Sequence, residues 1–235
     1  MSAGAVFTRC ADPRELARAG ADAIVAAAAA AVAAHGEFRL ALSGGATPQA
    51  TYAELAARQM PWARTSVFFS DERCVPPDHA ESNYTRARAS LLARVPLDPT
   101  RVHRMPGELP PDAGAARYEE VLRKRCGGAR TFDLCLLGVG ADGHCASLFP
   151  GSPALDEQER WVVAAQAPPG VVPPWRLTLT LPCIAGSQQV LFLVSGADKA
   201  GVVAALRRGT GTAVAGRVRA RGLVRWLVSS EAWGA

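Results

Sequence analysis

A chain of 235 residues, 49% hydrophobic and 20% charged, has the balance of an ordinary globular protein with a sizeable core, which argues against disorder. Its formal charge is +5, yet of 26 basic residues only Lys124 and Lys199 are lysines, and the basic side chains are scattered without interleaved aromatics, so nucleic-acid binding is not expected. Six cysteines (10, 74, 126, 135, 145 and 183) include no C-x-x-C pair and no histidine at zinc-ligand spacing, so reduced thiols and no metal are expected.

Arg9, Asp12, Arg14 and Glu15 precede any apolar stretch, and the alanine run at 26–31 falls far short of the ~20 apolar residues that span a bilayer. Neither a secretory leader nor a membrane span is expected, and the cytoplasm is the default compartment. Asp12-Pro13-Arg14-Glu15 combines a cap, a proline for the first helical position and a glutamate that returns a hydrogen bond, so a helix should run from there to His35-Gly36. A buried strand at 38–42 follows, then a loop at 43–47 and a helix from Pro48 to about Gln59. The alternation continues with a strand at 66–70, a charged and proline-rich loop, a helix at about 83–94 and a weak strand at 102–105. A helix at 112–126 should carry Tyr118, Val121 and Leu122 on one face, and 132–137 reads as a strongly apolar strand. Residues 176–181 alternate as a half-exposed strand should, 189–194 reads as a buried strand, and 198–207 as the helix after it. The spacing of Arg217, Arg219, Arg221 and Arg225 suits the solvated face of a strand or loop.

Strands that trade places with helices predict one α/β domain over 1–235, with a mostly parallel sheet covered on both faces. Ligands then bind at the carboxyl ends of the strands. Residues 43–48, 71–73, 142–144 and 196–199 all follow strands and should line one crevice.

Within Ser43-Gly44-Gly45-Ala46-Thr47-Pro48, two glycines let backbone N–H groups approach an anion, Thr47 is placed to cap, and the helix dipole favours phosphate; a tight structural turn is the alternative. No lysine follows the glycines as a P-loop requires. Ser70-Asp71-Glu72-Arg73 offers two carboxylates and a guanidinium to a sugar hydroxyl or a phosphate, or else forms a solvated turn. Gly138-Val139-Gly140-Ala141-Asp142-Gly143-His144 formally holds G-x-G-x-x-G, but Pro150 and Pro153 deny it the long helix of a dinucleotide site. A histidine beside an aspartate in such a loop fits a general base, with Cys145 as packing and His35, His79 and His103 as structural. Lys199, in Ser195-Gly196-Ala197-Asp198-Lys199, is either a phosphate ligand or a surface lysine at a helix start.

Taken together and in order, SGGATP, SDERCVPP with ESNY, GVGADGHCASLFPGS, RLTLTLP and SGADKA closely resemble the 6-phosphogluconolactonase family over nearly the whole chain. The resemblance implies a Rossmann-like α/β/α sandwich shared with glucosamine-6-phosphate deaminases and ribose-5-phosphate isomerases. It also implies hydrolysis of 6-phospho-D-glucono-1,5-lactone to 6-phosphogluconate, the second step of the oxidative pentose phosphate pathway, without a cofactor. By the same resemblance His144 is the general base and Asp142 positions the ring or the water. Gly44, Gly45 and Thr47 match the phosphate loop, Gly143 belongs to the base's loop, and Arg73, Arg176 and Lys199 match the residues that hold phosphate or substrate oxygens. Asp71 is similar to a carboxylate shared with the deaminases.

Those deaminases are the enzyme alternative, but where they carry a glutamate after the histidine this chain has Ser147-Leu148-Phe149-Pro150. A non-catalytic sugar-phosphate sensor is the other alternative. Two departures from the family pattern, Ser229 for aspartate and Ala213 for proline, are expected to lie away from the site. The partner is a small-molecule lactone, and a monomer or weak homodimer is expected.

Overall fold

The computed structural model describes residues 5–127 and 131–234. Helix α1 (Pro13–His35) starts as its sequence demands: the Asp12 carboxylate accepts the Glu15 N–H at 2.8 Å, Glu15 accepts the Ala11 N–H in return, and Gly36 ends the helix at φ 83°. At 23 residues, α1 has the length its sequence predicts, and by length and composition alone it is apolar enough to cross a membrane, which the short alanine run did not suggest. Here its buried stripe of Leu16, Gly20, Ile24, Ala27 and Ala31 packs instead on the sheet and on α2 (Ala46–Leu55).

Six strands form a wholly parallel sheet in the order β1 (Val6–Cys10), β9 (Leu223–Ser229), β8 (Gln189–Val194), β5 (Leu134–Leu137), β2 (Phe38–Leu42) and β3 (Thr65–Phe69). Its centre is uniformly apolar: every residue of β5 is buried, and so are the last five of β8. Aromatic packing pins the β1–β9–β8 register. Trp226 stacks on Phe192 at 3.7 Å and on Phe7 at 5.2 Å, each its in-register neighbour.

A second, antiparallel sheet joins β4 (Asp71–Arg73), β7 (Trp175–Leu179) and β6 (Val162–Gln166). Helix α4 (Pro111–Cys126) packs on β6 and β7 and buries Tyr118 and Leu122, with Val121 half-buried beside them. The remaining helices are α3 (Asn83–Ser90), α5 (Leu181–Ala185), α6 (Ala200–Arg207) and α7 (Ser230–Trp233).

Several boundaries move. Helix α2 begins at Ala46 and ends at Leu55 rather than near Gln59, and α3 gives way to a 3-10 turn at Leu92–Arg94. Residues 102–105 contribute only a single bridge, Val67 to Val102. Residues 71–73 are a strand and not a turn, while β7, expected to be half-exposed, is paired on both edges and buried beyond Trp175.

The order of the parallel strands places the site. The chain steps from β2 outward to β3, then returns to lay β5 on the other side of β2, so the crossovers diverge between β2 and β5. Loops at the carboxyl ends of diverging strands leave a crevice between them. Those loops are 43–45 and 138–144.

Candidate active site

At that crevice lies a cavity of about 450 Å³. The turn after β2 lines it with Ser43, Gly44, Gly45 and Thr47, β4 with Asp71 and Arg73, the loop after β5 with His144, and the segment after β8 with Ser195 and Lys199. The four segments expected to converge therefore do so.

The turn after β2 is built for backbone exposure. The Tyr52 hydroxyl accepts the Ser43 N–H at 2.9 Å and donates to the Ser43 carbonyl at 2.7 Å, which pins the entry to the turn. Gly45 then adopts φ 103°, a region closed to most side chains. No side chain caps α2, so its leading N–H groups are left for a ligand. Thr47 is thus not the cap: it lies inside the first turn, and its hydroxyl pairs with that of Ser195 at 2.6 Å.

In the loop after β5, the Asp142 carboxylate accepts the backbone N–H of His144 at 3.1 Å and meets its Nδ1 at 2.6 Å. A carboxylate can only accept, so Nδ1 carries a proton, and in the neutral ring the lone pair is then left on Nε2. Burial pushes the Asp142 carboxyl up, but the backbone and ring N–H of His144 outweigh it and hold the group below its ordinary value. The imidazole is 31% exposed and lies 4.8 Å from the Phe149 ring, so it is reachable yet restrained. Gly140 makes this possible, because a Cβ there would come within 2.1 Å of Nδ1.

Gly143, at φ 85°, turns the loop, and a Cβ on it would meet the Cβ of Ala213 at 2.7 Å. Its carbonyl accepts the Ala215 N–H at 3.0 Å. The departure at Ala213, expected to lie away from the site, therefore braces the loop that carries His144. Ser229 closes β9 at the carboxyl end of the sheet, buried and in register with Cys10, and is not among the residues that line the cavity.

Strand alternation sorts the 71–73 triplet. Asp71 and Arg73 line the cavity, whereas the Glu72 carboxylate turns away and accepts the N–H groups of Arg73, Asn83 and Tyr84 at 2.7–2.8 Å and the Ser82 hydroxyl at 3.0 Å. Burial raises the Glu72 carboxyl above its ordinary value, and these donors oppose the rise. The buried Asp71 carboxylate accepts the Ser147 hydroxyl at 2.7 Å and the Asn83 amide at 3.3 Å. Arg73 is held by the carbonyl of Glu81.

Two participants escaped the sequence reading. Ser147 steers Asp71. Asn83, the asparagine of ESNY, also lines the cavity, and its Oδ1 lies so close to Gly44 that a Cβ there would come within 2.2 Å. Among the described residues, that Oδ1 is the one buried side-chain oxygen without a hydrogen-bond partner.

Arg176 is not brought into the cavity. It sits in register with Arg73 on β7, but its guanidinium is buried and donates to the carbonyls of Pro173 and Trp175. Lys199 does line the cavity, its Nζ 2.7 Å from the Asp198 carboxylate.

Known proteins resemble this chain in sequence and in fold. Residues 11–226 match the family described as glucosamine-6-phosphate isomerases/6-phosphogluconolactonase. A 6-phosphogluconolactonase of Mycobacterium tuberculosis is 43% identical over 194 residues, 77% of each chain. That of Streptomyces coelicolor is 38% identical over 237 residues, 94% of this chain and 90% of its own. Among solved structures, 6-phosphogluconolactonase from Trypanosoma cruzi superposes with a TM-score of 0.87 at 31% identity, covering 99% of this chain and 97% of that one. A monomeric glucosamine-6-phosphate deaminase shares the fold, with a TM-score of 0.82 at 21% identity. The chain belongs to the glucosamine-6-phosphate isomerase/6-phosphogluconolactonase family.

Proposed function

We propose that this chain hydrolyses 6-phospho-D-glucono-1,5-lactone to 6-phosphogluconate in the oxidative pentose phosphate pathway, with His144 as general base. The observation that carries the reading is the Asp142–His144 pair facing, across one cavity, an uncapped helix start and Lys199. The first is a device for moving a proton, the second for holding an anion.

In this reading the phosphate lies on the Gly44–Gly45–Thr47 turn with Lys199 and Arg73, which fixes the lactone carbonyl near His144. Nε2 takes a proton from water as the water oxygen bonds to the carbonyl carbon. The tetrahedral intermediate then collapses with cleavage of the ring C–O bond, and the imidazolium returns the proton to the departing ring oxygen. Asp142 keeps the imidazole in the productive tautomer and stabilises its charged form. Asp71, anchored by Ser147 and Asn83, is placed to receive a ring hydroxyl. Arg176 lies in register with Arg73 on the neighbouring strand and is not assigned to substrate.

One domain carries every part of this site, and cytoplasmic residence as a monomer or weak dimer goes with the reading. Phe149 argues against the deaminase reaction, since an aromatic ring relays no proton where those enzymes use a carboxylate. A pH-stat assay with freshly prepared lactone, run beside glucosamine 6-phosphate with ammonia detection, tests the proposal. Acid release from the lactone without ammonia is expected, and ammonia release without lactone turnover would overturn it.

A further inference from the structure

The sheet has a second hollow at its opposite end. At the amino ends of β2 and β3, separate stretches of chain wall a cavity of about 410 Å³ with almost wholly polar sides. Strand β2 brings Arg39, the segment after Pro99 brings Arg101 and His103, and the last turn of α4 brings Lys124 and Arg125.

Two carboxylates border this hollow, one paired with an arginine and the other held by hydrogen bonds that leave its charge in place, so the four cations still outnumber them. Glu37 pairs with Arg39, while Asp98 accepts the N–H and the hydroxyl of Thr100, each at 2.8 Å. Among the described residues Arg101, Lys124 and Arg125 form no ion pair, and Arg101 reaches only the Ser66 hydroxyl at 3.3 Å. The carboxyl end of α4 favours cations electrostatically, which accounts for Lys124 and Arg125. It does not account for Arg39 and Arg101, which arrive from elsewhere in the chain. His103, half-buried with its ring 4.8 Å from Phe68, registers the resulting field: burial first, then Arg125 and Arg101, hold it below the ordinary imidazole value.

Like charges gathered in a concave, partly desolvated space repel one another, and a bound anion offsets that cost. We infer that this hollow is a second anion site, suited to a small phosphorylated metabolite with at least two negative charges and separate from the cavity at the carboxyl ends of the strands. Its volume approaches the 450 Å³ of that cavity, so it has room for a phosphorylated small molecule. Guanidinium groups from two directions suit the bidentate geometry of phosphate oxygens. The inference rests on this hollow alone and stands whether or not the lactone is the substrate.

The chain has four histidines, of which His103 borders the hollow and His144 the catalytic cavity, so imidazole proton resonances report the two sites separately. Inorganic pyrophosphate titrated into the whole protein at low salt is expected to move the His103 resonance along a saturable curve. In the double variant Arg101→Ala/Arg125→Ala the His103 midpoint should weaken by about ten-fold or more, while the His144 response keeps its midpoint. Both arginines sit at exposed or half-exposed positions, so the fold should survive their loss. A His103 resonance that stays still, drifts without saturating, or keeps its midpoint in the double variant would overturn the inference.

Discussion

After β5 the chain stays a loop, whereas after β3 it passes straight into another strand, and the two regions deliver their reactive side chains by different means. The loop at 138–144 needs glycine at 140 to leave room for the imidazole and glycine at 143 to turn, and its key hydrogen bonds span two residues. Strand β4 needs no such allowance, because the two-residue repeat sends Asp71 and Arg73 to the cavity and Glu72 to the far side. Each region also sets a residue turned into the fold beside one that lines the cavity: Cys145 next to His144, and Glu72 next to Asp71. Proximity in sequence says little about role; the local backbone decides which neighbour meets the substrate.

Experiments can sharpen that contrast. His144→Ala should lower lactone turnover by at least ~100-fold with the circular dichroism spectrum unchanged. Normal turnover in this variant would remove the proposed base. Gly140→Ala should come next, with turnover down by roughly ten-fold or more, because the added methyl collides with both Nδ1 of His144 and the Asp142 carboxylate. Glu72→Ala should act on the fold instead, costing about 2–3 kcal/mol in urea unfolding by stranding the N–H groups at the start of α3. Loss of activity in Glu72→Ala without loss of stability would contradict the division of roles.

Glu72 also carries a pH signature. Its folded-state pKa is raised above 4.5, so its contribution to stability is full below that pH and is lost as pH climbs through the folded-state value. Unfolding midpoints measured across this window should decline in the unaltered protein and lose that slope in Glu72→Gln. Lys199→Ala should raise the Michaelis constant about ten-fold with little change in turnover, as expected for one charge-assisted contact to phosphate. The smallest effect belongs to Cys145→Ala, with turnover within about two-fold. That thiol is fully buried, and burial pushes its pKa to about 12, so it offers no nucleophile to the cavity.

The contrast also explains what sequence alone could and could not reveal. Strands β2, β3, β5 and β8 are short apolar runs bounded by glycine or charge, and the segments after them line the cavity, so both were legible. Asp12 and Pro13 announced α1 for the same local reason. The second sheet was not legible, because Asp71-Glu72-Arg73 has a turn's composition and becomes a strand only by pairing with β7. Arg176 carried a family pattern but not the information that carbonyls of its own hairpin would take its guanidinium. Asn83 and Ala213 reach the site from distant stretches of chain, and no local periodicity reports such contacts.

The place of β9 in the sheet bears on how the protein is made. It lies between β1 and β8, so among the described residues β1 has its sheet neighbour at the other end of the fold's sequence, with Val6 paired to Arg225. Until β9 is made, β1 has no native strand to pair with. Its short length, with Thr8 and Arg9 in mid-strand, suits a segment that has to avoid sticking to other nascent chains in the meantime.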